Sequence, residues 1–285
     1  MNILVLGSDS QIGKTLKKLD LKKKKIFFNK KQININNYQL VKKKIYSLKP
    51  DIVINCAAYT NVEKCEFFRK KANKINYFAV KNLAKICFKT KSLLIHFSTD
   101  FVFEGKKNSP YKENFKKVPI NYYGKTKLLG EQAIKNSNCN YIIIRTSWLF
   151  SEYGNNFLKK IIHNKKKIIK VVDDQIGNPT YAGELAFAID QILKKKNILN
   201  TKEIFHFSGK NICSWYDFAS AIVKLFKKKN KKYKKKIIPI STNQLISKVN
   251  RPKYSALCNN KFNNFLKFRK RQLNYHISDV IRNIT

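Results

Sequence analysis

MNILVLGSDSQIG (Met1–Gly13) opens with a short apolar run, Ile3–Leu6, that breaks at Gly7 and reaches a second glycine at Gly13. A continuously apolar run entering a small-residue turn reads as a strand buried on both faces that feeds a helix. Outward from it the same alternation repeats. Ile26–Phe28, Ile52–Ala57, Leu93–Phe97 and Tyr141–Ile144 are strand-like, and Asn73–Phe88 and Tyr122–Lys135 carry helical periodicity. Continuously apolar strands separated by helices imply an α/β fold, a doubly wound parallel sheet covered on both faces. Ligands of such sheets lie at the carboxyl ends of the strands. Those positions here are Gly7, Asn29, Ala57 to Thr60, Ser98 to Asp100 and Thr146 to Trp148.

The second half is less regular. Residues 171–190 (VVDDQIGNPTYAGELAFAID) read as a strand, a Gly/Pro turn and a helix. Ile204–Ser208 reads as a further strand before a helix around Tyr216–Phe226, and Lys227–Lys236 (KKKNKKYKKK) reads as a solvated loop. Neither an internal repeat nor a separate linker is evident, so the C-terminal part is expected as a smaller lobe on the same core.

Charge points elsewhere at first. Sixty Lys+Arg against 17 Asp+Glu leave a net charge of +43 on 285 residues, which suggests a nucleic-acid binder. Hydrophobic residues at 43% are nevertheless ordinary for a folded domain, which argues against disorder. Only six of the cations are arginine, at positions 69, 145, 251, 269, 271 and 282. Phosphate and base recognition leans on the planar guanidinium, so this balance counts against a specific nucleic-acid surface. Asn, Ile, Phe and Tyr are abundant too, and drift toward A/T-rich codons explains Lys, Asn and Ile together. The six cysteines are scattered without a C-x-x-C pair, so zinc and disulfides are not expected. No apolar run approaches the ~20 residues of a membrane span, and the amino terminus lacks a signal-peptide pattern. A cytoplasmic location is expected.

Two stretches carry chemistry. In Gly7-Ser8-Asp9-Ser10-Gln11-Ile12-Gly13 a dinucleotide fingerprint would place glycine where this chain has Ser10. The need is for backbone to approach a pyrophosphate at a helix N-terminus, and serine is small enough and offers a hydroxyl. In Tyr123-Gly124-Lys125-Thr126-Lys127, a Tyr and a Lys four apart share one helix face. The ammonium is then expected to lower the phenol from its ordinary pKa of about 10, suiting it to proton transfer at a carbonyl oxygen. Thr99, after the fourth strand, supplies a hydroxyl beside the same crevice.

These features together resemble the extended short-chain dehydrogenase/reductase superfamily. Within it STDFVFEG (98–105), NYYGKTKLLGE (121–131), RTSWLF (145–150), GNNF (154–157), DQIGNPT (174–180) and RPKYSAL (251–257) resemble the dTDP-4-dehydrorhamnose reductase family, in that family's order and over nearly the whole chain. The resemblance implies a Rossmann-type domain in residues 1–150 that binds NAD(P). Residues 151–285 would form mainly an α/β substrate lobe, with about 171–205 returning to the Rossmann core. Tyr123 is the implied catalytic acid at the C4 keto oxygen of the sugar, with Lys127 holding the nicotinamide ribose and Thr99 bonding the reacting oxygen. Thr99, Asp100 and Trp148 match substrate-contacting positions. On the cofactor side, Gly7, Ser10, Gln11, Ile12 and Gly13 match the pyrophosphate turn. Ala58, Tyr59 and Thr60 line the dinucleotide, and Asn34 and Ile35 replace an Asp–apolar pair at the adenine.

Departures from the family pattern refine the expectation. Asn29 stands where a carboxylate would bind a ribose 2′-hydroxyl, and Lys30 and Lys31 follow it, so NADPH is favoured, with NADH as the other candidate. Dehydratases of the superfamily carry Asp-Glu where this chain has Asp100-Phe101, which disfavours elimination. Mg²⁺ is described for some family members, but Lys14-Thr15 and the single Glu184 do not support a metal site. The expected substrate is a dTDP-sugar, with no specific nucleic-acid or membrane partner and a possible homodimer. A sugar-nucleotide epimerase and a catalytically silent basic binding protein are the competing readings. Retention of Thr99, Tyr123 and Lys127 counts against the silent one, because a scaffold has no use for all three.

Overall fold

The computed structural model describes residues 1–19, 24–244 and 249–284. Its main sheet has six parallel strands: β1 (Ile3–Leu6), β2 (Lys25–Phe28), β3 (Ile52–Asn55), β4 (Leu93–Thr99), β5 (Tyr141–Thr146) and β10 (Lys202–His206). Six shorter or peripheral strands, β6 (Leu149–Phe150), β7 (Ile168–Val172), β8 (Ile176–Gly177), β9 (Thr180–Tyr181), β11 (Cys213–Ser214) and β12 (Lys236–Ile240), form three two-stranded pairs. The main order is β10-β5-β4-β3-β1-β2, so the winding reverses between β1 and β3.

Two-sided burial explains the apolar strands. In β1, Ile3 and Val5 enter one core and Leu4 and Leu6 the other. The first core packs against Ile12 and Leu16 of α1 (Gln11–Lys18) and Leu185, Ile189 and Ile192 of α8 (Ala182–Leu193). The second packs against Val41 and Ile45 of α2 (Tyr38–Leu48), Val80, Leu83 and Ile86 of α5 (Ala79–Thr90), and Ile134 of α6 (Tyr122–Lys135). Between α2 and α5 lie two short helices, α3 (Val62–Phe67) and α4 (Arg69–Asn73).

Three segments differ from expectation. The helix expected over Asn73–Phe88 is not one α-helix, because Lys74–Phe78 takes a π-helical turn between α4 and α5. Tertiary bonds at buried Asn76, described below, accompany this wider turn, and periodicity does not register them. Residues 168–172 do not return to the main sheet: β7 pairs with β12, whereas α8, Ile198 and β10 go back to the core. The basic run 227–236 is loop only in its middle, Asn230 to Lys235, since Lys227–Lys229 end α9 (Trp215–Lys229) and Lys236 opens β12.

The β7–β12 pair packs with α7 (Phe157–Ile162), α9 and α11 (Leu273–Ile284) around Phe150, Leu158, Phe218, Ile222, Phe226, Ile277 and Val280. This second core forms the lobe. The short helix α10 (Asn260–Leu266) instead places Phe262 against the main core.

The lysine runs 42–44, 165–167 and 227–232 lie on or beside these elements without entering either core, and Lys22 and Lys23 fall outside the described residues. Such density of one sign opposes compaction through self-repulsion. Raising NaCl from about 20 to 150 mM should therefore raise Tm by roughly 2–4 °C, equivalent to about 1 kcal/mol. A flat or falling Tm in a salt series followed by circular dichroism would show that the repulsion is negligible.

Candidate active site

The carboxyl ends of β1, β3, β4 and β5 open into a cleft of about 730 Å³, placed where the winding of the sheet reverses. Gly7 forms its floor at φ +77°, and a Cβ there would lie 2.6 Å from the Ala57 nitrogen, so only glycine fits. Ser10 is the N-cap of α1: its Oγ accepts from the Gly13 N–H at 3.1 Å. The hydroxyl oxygen is thus spent on the helix terminus, while the turn remains small as the motif requires. Gln11 ties this turn to the 151–156 segment, its Oε1 accepting from Ser151 Oγ at 2.9 Å and Asn156 Nδ2 at 3.1 Å.

Gly7, Ser10, Gln11, Ile12, Asn34, Ile35, Ala58, Tyr59 and Thr60 all line the cleft. Two expected cofactor residues do not. Gly13 is buried behind the turn, where a Cβ would lie 2.6 Å from the Gly7 carbonyl oxygen, so its role is close packing of helix on turn. Asn29 closes a local turn, its Oδ1 accepting from the Lys31 and Gln32 N–H groups, while Lys30 reaches the cleft. The loop after β3 is held by Asn76 of the π-helical turn. Asn76 Oδ1 accepts from the Tyr59 N–H at 2.8 Å, and its Nδ2 donates to the Tyr59 carbonyl at 3.0 Å and to Thr126 Oγ1 at 3.1 Å. One buried amide thereby joins the cofactor-side loop to α6.

The reactive end is built from β4 and α6. Asn121 caps α6, its Oδ1 accepting from the Gly124 N–H, which sets the helix so that Tyr123 and Lys127 enter the cleft. Tyr123 and Thr99 both line the cleft, and Thr99 Oγ1 donates to Asp100 Oδ1 at 2.9 Å. Lys127 Nζ donates to the Phe97 carbonyl at 2.6 Å and faces His96 Nε2 at 3.3 Å. The expected lowering of the phenol is absent here: burial raises Tyr123 well above its ordinary value, with Asp100 adding to the rise and Thr99 opposing it. The lysine ammonium is committed to the β4 carbonyl. Burial instead depresses Lys127 to about 8, against an opposing effect of Glu131. Burial also lifts Asp100 to about 6, opposed by hydrogen bonds from Ser255 and Thr99.

Trp148 sits at φ +45° and stacks on Trp215 of α9, with centroids 3.6 Å apart and planes within 8°. Both line the cleft, and Gly177 lies against the Trp148 indole, where a Cβ would come within 2.6 Å. Trp215, Lys71 and Arg251 are cleft residues that the sequence reading did not assign. Arg251 stood inside the quoted RPKYSAL motif, whereas nothing local marks Trp215 beyond its being one of two tryptophans. Ser98 Oγ, Thr146 Oγ1, Asp100 Oδ2 and Arg251 Nε are buried without a hydrogen-bond partner among the described residues. Unpaired buried polar atoms at one cleft fit a polar ligand there. Among the described residues no three His, Cys, Asp or Glu side chains converge as metal ligands. Glu184 Oε1 accepts from the Arg271 N–H at 2.8 Å and lies 3.1 Å from His276 Nε2.

The family model described as RmlD substrate binding domain matches residues 1–285. A dTDP-4-dehydrorhamnose reductase of Aggregatibacter actinomycetemcomitans is 39% identical over 227 residues, 77% of either chain. The chain belongs to the dTDP-4-dehydrorhamnose reductase family. A solved member of the family from Clostridium acetobutylicum superposes with a TM-score of 0.91 at 35% identity, over 99% of both chains. Another, from Bacillus anthracis in complex with NADP, gives 0.89 at 32% identity over 99% of this chain and 98% of that one. The family resemblance drawn from the STDFVFEG and NYYGKTKLLGE motifs is thereby borne out, as is the doubly wound fold.

Proposed function

We propose that the protein reduces the C4 keto group of dTDP-4-dehydro-6-deoxy-L-mannose to dTDP-L-rhamnose with NADPH, the last step of dTDP-L-rhamnose biosynthesis. One observation carries this reading: Thr99, Tyr123 and Lys127 line one cleft at the switch point of the sheet. The cradle fits a dinucleotide. Gly7 and Ser10 bring backbone and the α1 terminus to the floor, and Lys30 adds a cation beside Asn34 and Ile35. The NADP held by the Bacillus anthracis relative supports the same assignment.

When bound, NADPH supplies the hydride for C4. Tyr123, kept protonated by burial, donates its phenolic proton to the C4 oxygen, and Thr99 steadies that oxygen by hydrogen bonding. Lys127, charged below about pH 8, stabilises the phenolate left behind. Arg251 and Lys71 offer cations to the diphosphate of the sugar nucleotide, and the Trp148–Trp215 stack forms an apolar wall for the sugar. Asp100 orients a substrate hydroxyl. A cytoplasmic location accords with six free thiols.

The test is consumption of NADPH on adding dTDP-4-dehydro-6-deoxy-L-mannose, with dTDP-L-rhamnose formed in equal amount. An epimerase would return its cofactor unchanged, and that outcome would reject the reductase. Cofactor choice has its own test. Lys30→Ala should raise KM for NADPH about 5–10-fold, the loss of roughly 1–1.4 kcal/mol of charge-assisted contact, and leave KM for NADH unchanged. Equal effects on both would remove Lys30 from 2′-phosphate recognition.

A further inference from the structure

His96 is the buried titratable group that the mechanism above leaves without a role. It lies in the middle of β4, aligned with Asn55 of β3 on one side and Ile143 of β5 on the other, and is 1% exposed. Leu94, two residues earlier on the same strand face, packs in an apolar core with Val53 and Ile143. An imidazole at the next position of that face costs desolvation unless both nitrogens are used. Both are: Nδ1 lies 3.2 Å from Asn55 Nδ2, and Nε2 lies 3.3 Å from Lys127 Nζ.

The neighbours of this pair determine where the protons go. Asn55 Oδ1 accepts from the Ala57 N–H at 3.1 Å, and a backbone amide can only donate. The side-chain amide is therefore oriented with its NH₂ group toward His96. That group donates to Nδ1, so a neutral imidazole carries its hydrogen on Nε2, aimed at Lys127 Nζ. A second proton on the ring is opposed by burial and by the adjacent Lys127. The Nε2–H group meets a lone pair when Lys127 is a neutral amine, and another donor when it is an ammonium. The alternative tautomer accepts from the ammonium but gives up the bond from Asn55. In both forms Lys127 keeps its bond to the Phe97 carbonyl.

We propose that His96, oriented by Asn55, is a positioning residue that favours the neutral form of Lys127 and so sets the pH at which this lysine loses its charge. The inference deepens the reductase reading and rests on it for its kinetic consequence, whereas the proton arrangement itself does not depend on the substrate. Glu131, one turn further along α6, acts in the opposite sense. From β3 and β5 the only neighbours level with His96 are Asn55 and apolar Ile143. Burial already holds Lys127 near 8, so a modest bias from the imidazole moves its charge across the working range.

The test follows the Lys127 side-chain ¹³Cε resonance and the His96 ring nitrogens by NMR in the full-length protein and in His96→Gln, whose carbonyl can accept from the ammonium. Lys127 should titrate at least one pH unit higher in the variant, a tenfold gain in proton affinity, and the alkaline limb of kcat/KM should move with it. In the wild type above that titration, the protonated ring nitrogen should be Nε2. An unmoved Lys127 titration, or a hydrogen on Nδ1 in that range, would overturn the proposal. The nitrogen assignment needs no variant, so it stands even if His96→Gln fails to fold. A protein that shows both NMR signatures yet leaves the sugar nucleotide unreduced would refute the reductase reading alone.

Discussion

Tyr123→Phe is expected to lower kcat by about 10²–10⁴-fold while KM for both ligands stays within roughly a factor of three. The ring remains to pack edge-on against Phe101, as the tyrosine does at a centroid distance of 5.9 Å. Only the proton donor is lost. Removal of the hydroxyl leaves Thr99 Oγ1 still donating to Asp100 Oδ1, so no new unpaired donor is buried. Tm should therefore change by no more than the equivalent of about 1 kcal/mol. The pH profile adds a second signature. Tyr123 is raised by burial and holds its proton throughout the neutral range, so the alkaline loss of activity in the wild type belongs to Lys127, near pH 8, and should be missing from the residual activity of Tyr123→Phe, which forms no phenolate. Wild-type turnover by Tyr123→Phe in a stopped assay of product would move the acid to another group, and Thr99 would then be the first to test.

How much of this was legible beforehand depended on whether the controlling interaction was local. The strands β1, β3, β4 and β5 were legible because two-sided burial leaves a continuously apolar run, and the reactive pair was legible because one helix carries both Tyr123 and Lys127. What the reading placed in the wrong sense was the phenol. An i,i+4 spacing puts lysine and tyrosine on one helix face, but the Phe97 carbonyl, which captures the ammonium, comes from a strand 30 residues away. The π-helical turn at Lys74–Phe78 was illegible for a similar reason, since its buried Asn76 answers to Tyr59 and Thr126. Trp215 reaches the cleft only because α9 of the lobe starts against the turn after β5. Asn29 and Gly13 err in the opposite direction: both fit a motif position, yet one closes a turn and the other packs a helix. The net charge of +43, the first feature to suggest a function, leaves among the described residues only Lys30, Lys71, Lys127 and Arg251 in the cleft lining.

The largest loss of stability should come from Glu131→Gln. Glu131 and Arg145 are 2% and 1% exposed and paired through two bonds, Nε to Oε1 at 2.9 Å and Nη2 to Oε2 at 2.7 Å. Arg145 Nη1 also donates to the Glu113 carbonyl at 3.1 Å and to His206 Nε2 at 3.2 Å. His206 can accept there because burial and the guanidinium hold it well below its ordinary pKa, leaving a hydrogen on Nδ1 for the Tyr111 carbonyl. Glutamine keeps the shape but removes the counter-charge of a buried cation, a change that costs about 3–5 kcal/mol. Against a total stability of about 5–15 kcal/mol, that is a Tm loss of roughly 6–15 °C. High salt should not restore it, since a pair this buried is poorly screened. The double variant Glu131→Leu/Arg145→Met separates two meanings of the loss. If the cost is an uncompensated charge, the apolar pair should recover most of the Tm; if these bonds also seat α6 on the sheet, stability will return while kcat stays low, because Tyr123 and Lys127 ride on that helix. A Glu131→Gln protein within about 1 kcal/mol of wild type in urea unfolding would show that the Glu113 carbonyl and His206 suffice to hold Arg145.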